Sequence, residues 1–228
     1  MKFIHIADVH LGVVPDAGKS WSEKRAADIW TTFTEVFAVA KKIKVDMVLI
    51  AGDLFHRQPL IRELREINYI FEQVPEIQVV IVAGNHDFLS VASNYRTFSF
   101  AKNVVFLKKN EIESVYFPEL NTEVYGMSYW HREETSDVYD HITPKRQDAI
   151  NILLAHGGDA KHIPIDRKKL LLSGFDYIAL GHIHRPEMIE PDRMAYAGAL
   201  EPIDSNDTGE HGFWGGEITK AFGQVQFC

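Results

Sequence analysis

The sequence predicts a layered α/β fold, with sheets inside and helices outside, and three observations carry that prediction. Short runs rich in Ile and Val recur at Phe3–Ala7, Met47–Ala51, Val79–Ala83, Ile152–Ala155 and Tyr177–Leu180, each the length of one buried strand. Stretches of helical periodicity lie between them. Every one of these runs passes directly into a polar cluster, and the carboxyl ends of strands are where α/β sheets build their sites.

Taken in order, Phe3–Ala7 leads into Asp8-Val9-His10. Ser22 to Lys44 reads as a helix, with Ile29, Phe33, Val36, Phe37 and Ala40 at helical spacing and Ser22 as the expected N-cap. Met47–Ala51 runs into Gly52-Asp53. Leu60 to Phe71 is a second helix, with Leu60, Leu64, Ile67 and Phe71 on one face. Val79–Ala83 runs into Gly84-Asn85-His86-Asp87, and Ile152–Ala155 into His156-Gly157-Gly158. Asp166 to Leu172 is a short third helix closed by Gly174. Tyr177–Leu180 then enters Gly181-His182-Ile183-His184. From Met188 onward, Tyr196, Phe213, Trp214, Ile218, Val225 and Phe227 stand among glycines and turn residues, which predicts short antiparallel strands. No internal repeat or low-complexity tract interrupts the pattern.

The bulk properties narrow the function. With 228 residues, 46% of them hydrophobic, the chain is expected to form one domain over 1–228, because site residues spread from Asp8 to His184 must converge. No run approaches the roughly 20 apolar residues of a membrane span, and the N-terminus does not fit a signal peptide. The lone Cys228 leaves no internal disulfide, which suits a reducing cytoplasm. A net charge of −8 rules out a broad basic field for gathering nucleic acid. A bound pair of divalent cations would supply positive charge locally, where a phosphate must sit.

The clusters themselves carry metal chemistry. Carboxylate oxygen, amide oxygen and imidazole nitrogen together suit Mn, Fe or Zn better than Mg or Ca. In Asp8-Val9-His10 and His182-Ile183-His184 the polar side chains are two residues apart, so on an extended strand they would point to one side and grip one ion. Glycines 52, 84, 157 and 181 let the backbone turn sharply beside them. Each fragment alone is weak; their joint occurrence, in order and at strand ends, is the signal.

This ordered set (Asp-x-His, Gly-Asp, Gly-Asn-His-Asp, His, Gly-His-x-His) resembles the calcineurin-like metallophosphoesterase family over Asp8 to His184. The resemblance implies a four-layer α-β-β-α sandwich of two mixed sheets flanked by helices. It implies that Asp8, His10 and His184 hold one metal, that Asn85, His156 and His182 hold the other, and that Asp53 bridges both. His86 is expected to face the substrate, with Asp87 as the carboxylate that orients it. Two such ions lower the pKa of a shared water and offset charge growing on the phosphoryl group, which makes the expected reaction hydrolysis of a phosphate ester.

A narrower resemblance rests on Gly52-Asp53-Leu54-Phe55-His56, on Gly181-His182-Ile183-His184-Arg185-Pro186 and on Tyr196-Ala197-Gly198-Ala199-Leu200-Glu201-Pro202. These segments look like the SbcD-type DNA exonucleases of double-strand break repair. Tyr125-Gly126-Met127-Ser128-Tyr129 looks like a strand of the same group. The resemblance implies a Mn-dependent nuclease in which His56 assists at the active site, DNA is the substrate, an SbcC-type ATPase is the partner and a homodimer is a candidate assembly. The chain departs from that group in length, with room for little beyond the phosphoesterase core and no separate DNA-capping domain. A phosphodiesterase or phosphatase for a small molecule or nucleotide is the alternative expectation; a non-catalytic module with structural metals is a third.

Overall fold

The computed structural model describes all 228 residues. Its first sheet is built around the predicted strands β1 (Lys2–Ile6), β2 (Met47–Ala51) and β3 (Gln78–Val82), which pair in parallel. A short parallel strand, β4 (Val104–Phe106), extends one edge. The second sheet contains β5 (Glu113–Phe117), β6 (Thr122–Gly126), β7 (Ile150–His156), β8 (Tyr177–Gly181), β9 (Glu187–Glu190) and β10 (Met194–Tyr196). Two C-terminal strands, β11 (Trp214–Ile218) and β12 (Gly223–Phe227), return to the first sheet, where β11 runs antiparallel to β1 and β12 antiparallel to β11. The strand orders are β12-β11-β1-β2-β3-β4 and β5-β6-β7-β8-β10-β9, so both sheets are mixed.

Three apolar layers separate four structural ones. Helices α1 (Ser22–Ile43) and α2 (Ile61–Glu72) cover the outer face of the first sheet, where Ile29, Phe33, Phe37, Leu64 and Ile67 pack on Ile4, Ile6, Val48, Ile50 and Val79. The opposite faces of these strands, carrying Phe3, Leu49, Ala51, Val80 and Val82, meet Val124, Ile152, Leu154 and Ala179 of the second sheet. The alternation of period two thus buries both faces, as a sheet covered on both sides requires. The fourth layer is thin: α3 (Arg167–Leu171), the turn of helix at Val138–His141, and Ile163 and Phe175 over Leu153, Ile178 and Leu180. The expected sandwich is therefore present, with unequal helical layers.

Four local expectations are corrected. Ser22 does not cap α1 but lies in its first turn; its hydroxyl donates to the Asp16 carbonyl and accepts from Lys19 N at 3.1 Å, closing the preceding loop. The strand expected over 125–129 ends at Gly126, because Ser128 and Tyr129 turn away to bond Lys109 and Ala83. The terminal region is not wholly antiparallel, since β10 pairs in parallel with β8. Finally, β1 and β8 stop at Ile6 and Gly181, so neither Asp-x-His nor His-x-His is an extended strand. No helix is long and apolar enough to cross a membrane.

Candidate metal centre

The loops that follow β1, β2, β3, β7 and β8 meet at one end of the sandwich, shared by both sheets. The first two are zipped together by backbone bonds: Asp8 N donates to Gly52 O at 3.1 Å, His10 N to Asp53 O at 3.0 Å, and Leu11 N to Leu54 O at 2.9 Å. This zipper holds three non-glycine residues in the left-handed region, Asp8 at φ 50°, His10 at φ 53° and Asp53 at φ 51°, and His182 sits at φ 97°. Such conformations cost on the order of 1–3 kcal/mol each and persist where surrounding structure imposes them, as at functional sites. Left-handed backbone, rather than strand alternation, aims Asp8 and His10 at the same place.

Close approach also fixes two glycines. Gly52 has φ 88°, and a Cβ there would overlap the His156 ring. A Cβ on Gly84 would strike the Asp53 carboxylate. Both positions sit where backbone from one loop touches a polar side chain from another, which only glycine permits.

The seven donors form two adjoining groups. In one, Asp8, His10 and His184 bring ligand atoms within 4.8 Å of one another, and the Nε2 atoms of His10 and His184 are 3.1 Å apart. In the other, Asn85 Oδ1 lies 3.0 Å from His156 Nε2 and 3.1 Å from His182 Nδ1. Asp53, only 1% exposed, stands between them, with Oδ2 3.4 Å from His156 Nε2 and 3.9 Å from His10 Nε2.

The remaining ring nitrogens determine which atoms are free. His156 Nδ1 donates to Ala51 O at 2.8 Å, turning Nε2 toward Asn85 and Asp53. His184 Nδ1 donates to Asp207 at 3.0 Å, and His182 Nε2 to Asp159 at 2.7 Å. His10 Nδ1 lies 3.3 Å from His56 Nδ1, so it can donate there and keep its Nε2 lone pair. Two lone pairs facing each other at 3.1 Å, and an amide oxygen facing an imidazole nitrogen, are repulsive unless a cation lies among them. The donor set therefore fits divalent metal.

Electrostatics agree. Burial and the neighbouring histidines hold His10 well below the usual imidazole range, and burial lowers His182 to about 4, so both are neutral as ligands must be. Burial alone would raise Asp53, but the adjacent His156 and His10 outweigh it and hold the carboxyl well below its usual range. Burial likewise disfavours charge on His156, yet Asp53 and Asp8 outweigh it and lift the imidazole to about 9. This point of the site favours positive charge, whether carried by a proton or an ion. Burial pushes Asp8 up to about 6, a carboxylate that a cation would ionise.

His86 and His56 sit on the open side of this centre. The three rings of His10, His56 and His86 lie 4.8–5.2 Å apart. His86 Nδ1 donates to the His56 carbonyl at 3.1 Å, and its backbone N donates to Asp53 Oδ1 at 2.8 Å. Asp87 does not orient His86, contrary to expectation. Its carboxylate is fully buried and accepts from Gly84 N at 2.8 Å, Phe55 N at 3.2 Å and Tyr95 Oη at 3.0 Å, which staples the β3 loop to the β2 loop. Burial pushes this carboxyl up to about 7.

Two carboxylates in the site escaped the sequence reading, Asp159 beyond Gly157-Gly158 and Asp207 in the segment between β10 and β11. A polar cavity of about 650 Å³ opens beside His184, lined among others by Arg185, Asp207, Glu210 and His211.

Comparison with known proteins places the chain in a family. The family model described as calcineurin-like phosphoesterase matches residues 1–186. The chain is 31% identical over 220 residues to the DNA double-strand break repair protein Mre11 of Methanocaldococcus jannaschii, covering 91% of this chain and 58% of that protein. It is 30% identical over 230 residues to the Mre11 protein of Archaeoglobus fulgidus, covering 90% of this chain and 51% of that one. The chain thus spans about half the length of the curated relatives it matches. Among solved structures, TT1561 of Thermus thermophilus superposes with a TM-score of 0.54 at 8% identity, over 87% of this chain and 89% of that one, a likeness of fold alone.

Proposed function

Since the chain belongs to the calcineurin-like phosphoesterase family, we propose that it is a two-metal phosphodiesterase that cleaves DNA, a nuclease of the SbcD type working with manganese. The observation that carries this reading is the convergence of seven donors into two groups joined by Asp53, with His86 and His56 at the open face. DNA as the substrate is supported by about 30% identity to two Mre11 repair proteins over nine-tenths of this chain. An SbcC-type ATPase partner and a homodimer belong to the same reading.

In this reading Asp8, His10 and His184 would hold one ion and Asn85, His156 and His182 the other, with Asp53 available to both. When bound, the ions supply Lewis acidity and an activated water. Asp53 and Asp8 only partly neutralise two divalent cations, so a local excess of positive charge remains for a phosphodiester despite the net charge of −8. The buried floor of Ala51, Gly52 and Gly84 keeps water from beneath the donors, and backbone bonds between the left-handed loops fix their direction. His86, whose Nδ1–H is donated to His56 O, presents Nε2 to the ester; as the imidazolium it carries a second N–H there, which donates a hydrogen bond to a phosphoryl oxygen or passes its proton to the leaving oxygen, leaving the neutral ring. His56 lines the same face and steadies His10.

The test is turnover with Mn²⁺ on single-stranded DNA, duplex DNA and bis-p-nitrophenyl phosphate. Cleavage of DNA and of the small diester is expected. DNA left intact while the diester turns over would replace the nuclease by a phosphodiesterase for small molecules. No hydrolysis of any ester with Mn²⁺ or Fe²⁺ would leave a non-catalytic metal module.

A further inference from the structure

His182 and His184 each turn their second ring nitrogen to a carboxylate that the proposed reaction does not use. His182 Nε2 lies 2.7 Å from Asp159 Oδ2, and His184 Nδ1 lies 3.0 Å and 3.1 Å from the two oxygens of Asp207. We infer that Asp159 and Asp207 are positioning residues, each fixing the tautomer and ring orientation of one histidine and thereby setting the affinity of one metal ion independently of the other. This rests on the two-ion reading above.

Both carboxylates are themselves held in place. Asp159 Oδ1 accepts from Lys161 N at 2.7 Å and from His162 N at 3.1 Å, and His162 Nδ1 lies 2.9 Å from Oδ2. Asp207 Oδ2 accepts from Ile203 N at 3.1 Å, and its carbonyl lies 3.3 Å from His211 Nε2. A fixed acceptor on one imidazole nitrogen places the proton there, leaves the other as the lone pair and raises its basicity toward metal. For His182 the lone pair left is Nδ1, the atom 3.1 Å from Asn85 Oδ1. For His184 it is Nε2, the atom 3.1 Å from His10 Nε2. The proton positions the two carboxylates impose are thus those the two groups of donors need.

A different use of Asp159 competes with this one. Asp159, His162 and His182 also bring ligand atoms within 4.8 Å of one another and could hold a cation of their own. A neutral imidazole has one lone pair, so His182 cannot serve Asn85's group through Nδ1 and a third ion through Nε2 together. The hydrogen-bond role is the one compatible with the pair of ions. The carboxylates differ in exposure: the Asp159 side chain is 46% exposed and that of Asp207 only 14%. Water screens the first more, so Asp207 should matter more to its ion. Because they lie in separate segments and touch different histidines, their effects should be independent.

The full chain, stripped with a chelator, is titrated with Mn²⁺ by calorimetry, and Co²⁺ absorption spectra report the ligand field. The wild-type chain should take up two ions. Asp159→Asn and Asp207→Asn should each weaken one ion, different in the two variants, by roughly 10–100-fold, with Asp207→Asn at the upper end. Adding Asp159→Asn to His182→Ala should cost no further affinity, and the melting temperature of the metal-free chain should not move with Asp159→Asn. Equal weakening of both ions by either variant, or additive losses in the double variant, would overturn the inference. Three ions on the wild type and two on Asp159→Asn would overturn it as well, by making Asp159 a ligand. Two ions with both variants at wild-type affinity would sink this inference alone, whereas fewer than two ions on the wild type would take the two-ion reading down with it.

Discussion

Asp53→Asn is expected to lower kcat/KM on bis-p-nitrophenyl phosphate by on the order of 10³-fold, the size of loss seen when a preorganised electrostatic group is removed from a transition state. The variant keeps nearly the same shape, and its Oδ1 can still accept from His86 N, a bond of 2.8 Å in the native chain. What it removes is the one negative charge that lies between the two donor groups, 3.4 Å from His156 and 3.9 Å from His10. Without it, six donors remain, and Asp8 is the only carboxylate among them. Mn²⁺ calorimetry should show the loss of at least one tight ion in parallel with turnover. Activity within about tenfold of wild type would mean that Asp53 does not join the two groups.

The second large effect belongs to His86→Ala, and it should have the opposite metal signature. His86 is not one of the seven donors; its ring centre lies 4.8 Å from that of His10 and 4.9 Å from that of His56. Its bond to Asp53 is through the backbone and survives truncation. Both ions should therefore bind with wild-type stoichiometry while kcat falls roughly 10²–10⁴-fold, the usual contribution of a general acid. The fall should be smaller on bis-p-nitrophenyl phosphate than on DNA, because p-nitrophenolate leaves without needing a proton. Unchanged kcat on both substrates would remove the role assigned to His86, and loss of an ion would make it a ligand.

The donors were legible in the sequence because each sits where a buried strand runs out. Leu49-Ile50-Ala51 before Gly52-Asp53 and Leu153-Leu154-Ala155 before His156 are apolar runs whose ends cannot lie anywhere but at a sheet edge. The backbone that aims them was not legible. Side-chain alternation along a strand suggested a common direction for Asp8 and His10, whereas the direction comes from left-handed φ at both, imposed by long-range bonds to Gly52 and Asp53. Asp87 misled for a related reason: adjacency to His86 suggested a partner, but the carboxylate turns inward to Tyr95 and two backbone amides. Asp159 and Asp207 left no trace because an isolated loop carboxylate has no periodicity, and both meet their histidines only through tertiary folding. The short strand β4 and the half-exposed strand β5 carry too few buried residues for period two to register.

The claim on which everything else depends is that two ions share Asp53. It is tested most directly by diffraction from crystals grown with Mn²⁺, with anomalous data collected at the manganese edge. Two anomalous peaks are predicted roughly 3.5–4 Å apart, as in two-metal phosphoesterase sites, with the Asp53 carboxylate between them. One ion should contact Asp8, His10 and His184, and the other Asn85, His156 and His182. A single peak, or two peaks with Asp53 coordinating only one, would contradict the account.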